Sequence, residues 1–378
     1  MKCIVNGTIL LPDGPVCGKA LAFENGRVVG LIDAAPAGAE RIDAAGGIVS
    51  PGLVDVHCHG FMGMDASNGR IDELREMSRR MAKWGVTAWL PTTMTLMWPT
   101  LERCFGAIRA AQAQCLSADW AGAQVLGCHA EGPFINARKK GAQDGAAIQT
   151  PDFEKLRPWT DVVRLMTVAP EVEGALPFIR EATANGVFIS MGHTAATAGE
   201  ALAGVEAGVS HATHTFNAMT PLTHREPGVV GVALSDSRVY CELIADTFHV
   251  DPMLYPLMVR QKGDRLVLIT DSIQEAHQPD GPYERDGQTI IVNGIRLRFP
   301  NGTIAGSALT MDLAVRNFRA HTGLPLHEVV NMASLYPARS VGADGEKGSL
   351  EPGKDADILI TDADFNIRAT FVRGERAF

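Results

Sequence analysis

The 378-residue chain, with 46% hydrophobic residues, is long enough for one large barrel plus a small satellite domain around a sizeable core. Its formal charge of −9 disfavours nucleic acid as a partner, and an anionic substrate would need a local basic patch to overcome that field. No apolar run reaches the roughly 20 residues of a membrane span. Seven scattered cysteines without a C-x-x-C pair argue against a disulfide framework and against cysteine-bound zinc.

The start, Met1-Lys-Cys-Ile-Val-Asn-Gly-Thr, resembles a first strand more than a signal peptide, so the expected compartment is the cytoplasm, where free thiols belong. Residues 1 to about 50 read as short strands broken by turns: Cys3 to Leu11, Ala20 to Glu24, Arg27 to Ile32 and Gly47 to Ser50. Asn25-Gly26 is a strong hairpin signal. Asp357-Ile-Leu-Ile-Thr and Ile367 to Arg373, after the turn Glu351-Pro-Gly-Lys, read the same way. The two ends are expected to pair into one small β domain, which removes the open edges that either would leave alone.

Between them, apolar runs of four to eight residues alternate with helical segments, the pattern of parallel βαβ units. The runs are Leu53 to Cys58, Val86 to Pro91, Val125 to Cys128, Val163 to Val168, Val187 to Met191, Val209 to Phe216, Val239 to Ala245 and Arg265 to Thr270. Eight such strands with helices between them predict a closed (β/α)8 barrel. Ile71 to Trp84 and Leu101 to Leu116 carry apolar residues at helical spacing. Two long pieces, Pro133 to Pro158 and Ser272 to Asn301, remain outside the repeat, and loops of that length are usually functional or carry structure of their own.

The first run holds the chain's most telling stretch, Pro51-Gly-Leu-Val-Asp-Val-His-Cys-His-Gly60. Val54, Val56 and Cys58 alternate with Asp55, His57 and His59, so a strand's period of two puts both imidazoles on one face. Same-face residues lie roughly 6.6 to 7 Å apart, close enough for two rings to converge on one divalent ion. Neutral histidine nitrogens suit zinc and iron. The plain alternative is a pair of ordinary strand-end histidines.

Position argues against that alternative. Ionisable residues fall where the other runs stop: Glu131 after the third, His193 after the fifth, His211 and His214 on the sixth, Asp246 and His249 after the seventh, Asp271 after the eighth. In a barrel all these ends meet on the C-terminal face, where barrel active sites sit. His129 shares the face of Glu131 and reads as a packed histidine beside a ligand. His211 and His214 would point to opposite faces of a regular strand, so one of them is the ligand. His277 and His321 read as solvated. No lysine ends the fourth run, which disfavours a carbamylated lysine between two metals and leaves Glu131 as the better bridge.

Together with Ala-Glu-Gly-Pro-Phe, Gly-His-Thr, Thr-His-Thr-Phe-Asn-Ala-Met, His-Arg-Glu-Pro-Gly, Ile-Ala-Asp-Thr-Phe-His-Val and Ile-Thr-Asp-Ser, this stretch resembles the N-acetylglucosamine-6-phosphate deacetylase family of the amidohydrolase superfamily. Ala305-Gly-Ser-Ala-Leu-Thr-Met and Ala333-Ser-Leu-Tyr-Pro-Ala-Arg extend the likeness over nearly the whole chain. The resemblance implies an α/β fold: a TIM-like (β/α)8 barrel over residues 53–345, with a small β-sandwich built from both termini, 1–52 and 346–378. It implies a main metal site at Glu131, His193 and His214, and a second position at His57 and His59, with Glu131 bridging and Asp271 near both. Asp271 matches the general acid/base. Asn217, Ala218, Arg225, His249 and Gln143 match substrate contacts, and Arg225 and His249 would come from a partner subunit of a homodimer. One or two divalent ions are implied, zinc or iron first, with manganese or cobalt also accepted by such ligands.

These residue types permit amide hydrolysis, and the resemblance implies the substrate: N-acetyl-D-glucosamine 6-phosphate, from which acetate would leave. A planar guanidinium such as that of Arg225 suits phosphate because it binds oxygens in pairs, against the plainer reading of a surface ion pair with Glu226. The stretch Ser272-Ile-Gln-Glu-Ala-His-Gln-Pro-Asp-Gly departs from the family's small, glycine-containing run, through Glu275 and His277. That departure leaves the galactosamine epimer open as a substrate. A hydantoin- or dihydroorotate-type amidohydrolase is disfavoured because a neutral ring needs no phosphate clamp. A metal-binding protein without catalysis is disfavoured because Asp271 accompanies a full ligand set.

Overall fold

The structure is a computed structural model that describes residues 1–285 and 287–378, and every side chain among them but that of Ala118. Its central sheet is parallel: β1 (Leu53–Cys58), β2 (Val86–Thr93), β3 (Cys128–Glu131), β4 (Val163–Val168), β5 (Phe188–Met191), β6 (Val209–Ala212), β7 (Tyr240–Ile244) and β8 (Leu266–Ile269) lie side by side in that order. Their residues are almost all buried, which is why these runs are continuously apolar rather than alternating.

The ring closes between β1 and β8 through a side chain. Asp55 accepts from the Thr270 hydroxyl at 2.6 Å and from the Thr270 N–H at 3.4 Å, and the Asp271 N–H donates to the His57 carbonyl at 2.8 Å. Burial pushes the Asp55 carboxyl up to about 6, against these hydrogen bonds. The helices around the ring bury one stripe each. Ile71–Met81 turns Leu74, Met77, Ser78 and Met81 inward at helical spacing, and Ala198–Ala207 opens on a capping box between Thr197 and Glu200.

The chain ends do combine. Ile358–Thr361 and Ile367–Val372 share a six-stranded sheet with Ile48–Pro51, Thr8–Leu11 and Gly14–Val16. A second sheet holds Arg27–Ile32, Ala20–Glu24, Lys2–Val5 and Glu40–Asp43, and Ile4, Leu21, Phe23, Val49, Ile358 and Phe371 pack together as one core. The expected single strand from Cys3 to Leu11 is two strands in different sheets. Asn6 breaks it with φ 57°, and Gly7 follows so close to Val49 that an added Cβ would sit 2.7 Å from a methyl group. Gly14–Val16 is too short, and Glu40–Asp43 too short and too polar, to have stood out in the sequence.

Two barrel runs differ from expectation. The third is interrupted at Leu126-Gly127, where Gly127 takes φ 150°, so the ladder splits into Gln124–Val125 and β3, and β3 reaches Glu131 itself. The sixth stops at Ala212, four residues before the expected Phe216. The 272–301 piece carries its own structure: Gly281–Arg285, Gln288–Asn293, Arg296–Arg298 and Ile304–Ser307 form an antiparallel sheet, while Asp286 within it lies outside the described residues. Its last strand returns to the barrel mouth, where the Ser307 N–H donates to the Asp271 carbonyl at 3.0 Å.

Candidate active site and metal centre

Four imidazoles and two carboxylates converge at the C-terminal mouth of the barrel. His57 lies in β1 and His59 one residue past its end, with their Nε2 atoms 3.3 Å apart, and Glu131 ends β3. His193, His214 and Asp271 each lie two residues past β5, β6 and β8, and all three are left-handed, with φ of 48°, 31° and 49°. Such backbone costs of order 1–3 kcal/mol per residue and persists where the surroundings over-determine it. Here it turns each side chain back over the barrel mouth. The sixth strand's early end also decides between its two histidines: His214 joins the cluster, while His211 remains buried, stacked on Tyr240.

Glu131 stands between the two histidine pairs. Its Oε1 lies 3.2 Å from His193 Nε2, 3.0 Å from His214 Nε2 and 3.5 Å from His57 Nε2, and its Oε2 lies 3.3 Å from His59 Nε2. Asp271 Oδ1 is 3.4 Å from both His57 Nε2 and His59 Nε2. The side chains fall into two groups, His57, His59 and Asp271, and Glu131, His193 and His214, each with donor atoms within 4.8 Å of one another.

Proton bookkeeping shows that these groups fit a cation. A carbonyl only accepts, so His59 Nδ1, 3.1 Å from the Thr92 carbonyl, and His193 Nδ1, 2.9 Å from the Lys139 carbonyl, carry the ring protons. His57 Nδ1 donates to Glu242 at 3.0 Å. Neutral rings held this way aim Nε2 lone pairs at carboxylate oxygens, an arrangement that is repulsive without positive charge between them. Histidine and carboxylate ligands of this kind suit a divalent metal.

The same demand for positive charge shows in the ring basicities, since a proton on Nε2 satisfies these carboxylates as a cation would. Burial pushes His59 down, but hydrogen bonding to Asp271 and Glu131 raises it to about 10, and Glu131 in the same way lifts His214 to about 9. Burial alone would raise the Glu131 carboxyl; His193 and His57 outweigh it and hold it well below the usual range. Asp271 is likewise held below its ordinary value, chiefly by His57 and His59 acting against burial, and stays ionised. His129 is neutral, driven far down by burial. Its Nδ1 donates to the Val56 carbonyl and its Nε2 accepts from Thr167, so it packs beside the ligands with no lone pair to spare.

A pocket of about 370 Å³ opens on this cluster, a size that small-molecule sites use. Asn217, Ala218, Gln143 and His249, expected as substrate contacts, line it, and His249 does so from the same chain rather than from a partner subunit. The Asn217 side chain donates to the His214 carbonyl at 3.2 Å, and His249 is oriented by Asp246 at 2.6 Å. Gln143 donates to Glu131 Oε2 and accepts the Thr95 N–H at 2.6 Å. Arg225 is absent from the lining: it is exposed, and among the described residues it makes no ion pair, including with Glu226, whose carboxylate instead accepts the Ala198 and Gly228 N–H groups. His277 and His321 are exposed, as expected.

The model of the Amidohydrolase family matches residues 48–377. The chain belongs to that family. It is 37% identical to an N-acetylgalactosamine-6-phosphate deacetylase of Escherichia coli O157:H7, over 98% of this chain and 97% of the relative. It is 36% identical to an N-acetylglucosamine-6-phosphate deacetylase of Bacillus subtilis (strain 168), over 88% and 85%. The crystal structure of N-acetylglucosamine-6-phosphate deacetylase from Pasteurella multocida superposes on this amidohydrolase with a TM-score of 0.94 at 31% identity, covering 99% of both chains.

Sequence reasoning missed three parts of the site. Glu242 and Asp55 are fully buried carboxylates inside this amidohydrolase's barrel, and each had a signal: a charge in the middle of an apolar strand. Arg138 and Lys139 line the pocket wall from the 133–158 piece, and nothing in their spacing announced it.

Proposed function

We propose that this chain is a metal-dependent deacetylase that hydrolyses N-acetyl-D-glucosamine 6-phosphate to D-glucosamine 6-phosphate and acetate. The observation that carries the reading is polarity across one pocket. Glu131, Asp271 and the histidines form one wall; Arg138, Lys139, His249 and Asn217 stand in the same lining, able to face an anionic tail.

His57, His59, His193, His214 and Glu131 would hold one or two divalent ions, zinc or iron first, with Asp271 near both positions. When bound, such an ion lowers the pKa of its water from about 16 toward 7 and polarises the acetyl carbonyl. The Asp271 carboxylate, ionised and at the pocket's inner end, takes the water proton. It then delivers that proton to the departing sugar nitrogen, which an amine leaving group requires. Gln143 steadies Glu131 while lining the pocket, and His249, oriented by Asp246, is placed for the sugar phosphate.

Arg225 is assigned to the phosphate across the interface of a homodimer. Its exposure within one chain and its lack of an ion pair among the described residues support that role. A cytoplasmic enzyme is supported by seven free cysteines, six of them buried. The division into a barrel over 53–345 and a sandwich from 1–52 and 346–378 is supported by an apolar core drawn from the two termini alone, although Leu10, Leu359 and Phe365 pack into the barrel's core.

One observation favours a second reading, the galactosamine epimer: the E. coli relative of that name covers 98% of the chain at 37% identity. Acetate release from both 6-phosphorylated epimers and from their unphosphorylated sugars decides. The highest kcat/KM is expected with N-acetylglucosamine 6-phosphate. Preference for the galacto epimer would reassign the substrate, and equal rates with unphosphorylated sugars would remove the phosphate site.

A further inference from the structure

Glu242 lies fully buried in β7 among Tyr240, Cys241, Leu243 and Ile244, where a charge is costly unless its neighbours compensate it. One of its oxygens, Oε2, accepts two hydrogen bonds: from His57 Nδ1 at 3.0 Å and from the His214 backbone N–H at 3.1 Å. The other, Oε1, has no hydrogen-bond partner among the described residues. The two donors belong to different halves of the metal centre. A third metal group of His57, His129 and Glu242 is geometrically close, but both His129 nitrogens are engaged with Val56 and Thr167, and the proton on His57 Nδ1 fills the gap.

We propose that Glu242 is a positioning residue that couples the two metal positions: it fixes the His57 tautomer whose Nε2 lone pair faces the pocket, and it holds the backbone that presents His214. This rests on the metal-dependent reading above. A neutral imidazole has one ring proton, and whichever nitrogen keeps it cannot bind metal. A carboxylate beyond a histidine ligand settles that choice and raises the basicity of the ligating nitrogen; losing it typically costs about 10–100-fold in metal affinity. His59 and His193 are held by backbone carbonyls, so among the three candidate ligand rings with an Nδ1 partner only His57 leans on a full charge. His214 has a buried Nδ1 without a hydrogen-bond partner among the described residues and a left-handed backbone, so its orientation depends on main-chain bonds such as the one Glu242 accepts.

The test compares Glu242→Gln with Glu242→Leu. Glutamine can keep its oxygen at the position of Oε2, and so both hydrogen bonds, while losing the charge; leucine loses both. Each protein is stripped, reloaded with zinc and measured for ions per chain and for affinity against a chromophoric chelator. Ring-nitrogen NMR of the zinc-loaded enzymes reads the His57 tautomer. The wild type should hold two ions, and Gln should weaken one of them by about 10–100-fold while the other changes by less than about threefold. Leu should lose the weakened ion and the Nδ1–H signal of His57, and should weaken the other ion as well, because the His214 N–H loses its acceptor too.

Unchanged binding with a retained Nδ1–H signal in both variants would overturn the proposal, and so would equal weakening of both ions in the Gln variant, the mark of a general packing defect. If Leu does not fold, the Gln comparison decides alone. If the wild type holds a single ion, the two-position reading fails, and Glu242 is judged by the His57 nitrogen signal: its loss in the Leu variant supports the role and its persistence overturns it.

Discussion

His57 and His59 face each other with their Nε2 atoms 3.3 Å apart, and the protons on both rings are committed elsewhere, to Glu242 and to the Thr92 carbonyl. Opposed lone pairs at that distance are stable around a cation. Replacing both residues with asparagine should therefore lower the metal content from two ions to one and leave the ion at Glu131, His193 and His214 in place. Elemental analysis of metal-replete protein measures this. Two ions in the double variant would show that the pair is not a ligand set.

Asp271→Asn should keep the fold and most of the metal while lowering kcat by at least about a hundredfold, the usual low end for losing general acid/base help. Asparagine tolerates the left-handed backbone at this position, φ 49°, so no new strain confuses the result. Near-normal turnover in the metal-replete variant would mean that another group moves the proton.

Gln143 joins the Thr95 N–H to Glu131, both buried. Gln143→Leu leaves that N–H without its partner, which costs about 1–3 kcal/mol. A lower melting temperature and weaker metal binding are expected together. A drop in substrate affinity alone, with melting and metal unchanged, would assign Gln143 to the substrate instead of to Glu131.

The barrel was legible because eight apolar runs each stay buried through their length, and the candidate ligands were legible because they stand where those runs stop. What the sequence hid was backbone geometry. The left-handed positions that swing His193, His214 and Asp271 over the mouth are not themselves glycines, and the alternation that guided the reading of His211 and His214 ends with β6 at Ala212. The 272–301 piece looked like a loop because its strands are short and largely exposed, with polar residues on both faces. Arg225 was read as a substrate contact from likeness alone, and within one chain the fold does not bring it to the pocket.

Arg225→Ala should lower kcat/KM for the phosphorylated sugar by tens to thousands of fold, in line with about 2–5 kcal/mol for removing one partner of a buried charge pair. The slow reaction with the unphosphorylated sugar should barely change. Mixed dimers of Arg225→Ala and Asp271→Asn subunits should regain some activity if the arginine acts in trans. No recovery in verified heterodimers would contradict the crossing, and equal loss on both sugars would remove Arg225 from phosphate binding.

The central claim is that this mouth of histidines and carboxylates hydrolyses an acetylated amino-sugar phosphate with a metal's help. Acetate release from N-acetyl-D-glucosamine 6-phosphate, followed in the enzyme as purified, after chelation and after adding back zinc or iron, tests it most directly. Activity should vanish with the metal and return in proportion to the ion restored. Full turnover by metal-free protein, or none by metal-replete protein on either 6-phosphorylated epimer, would contradict the account.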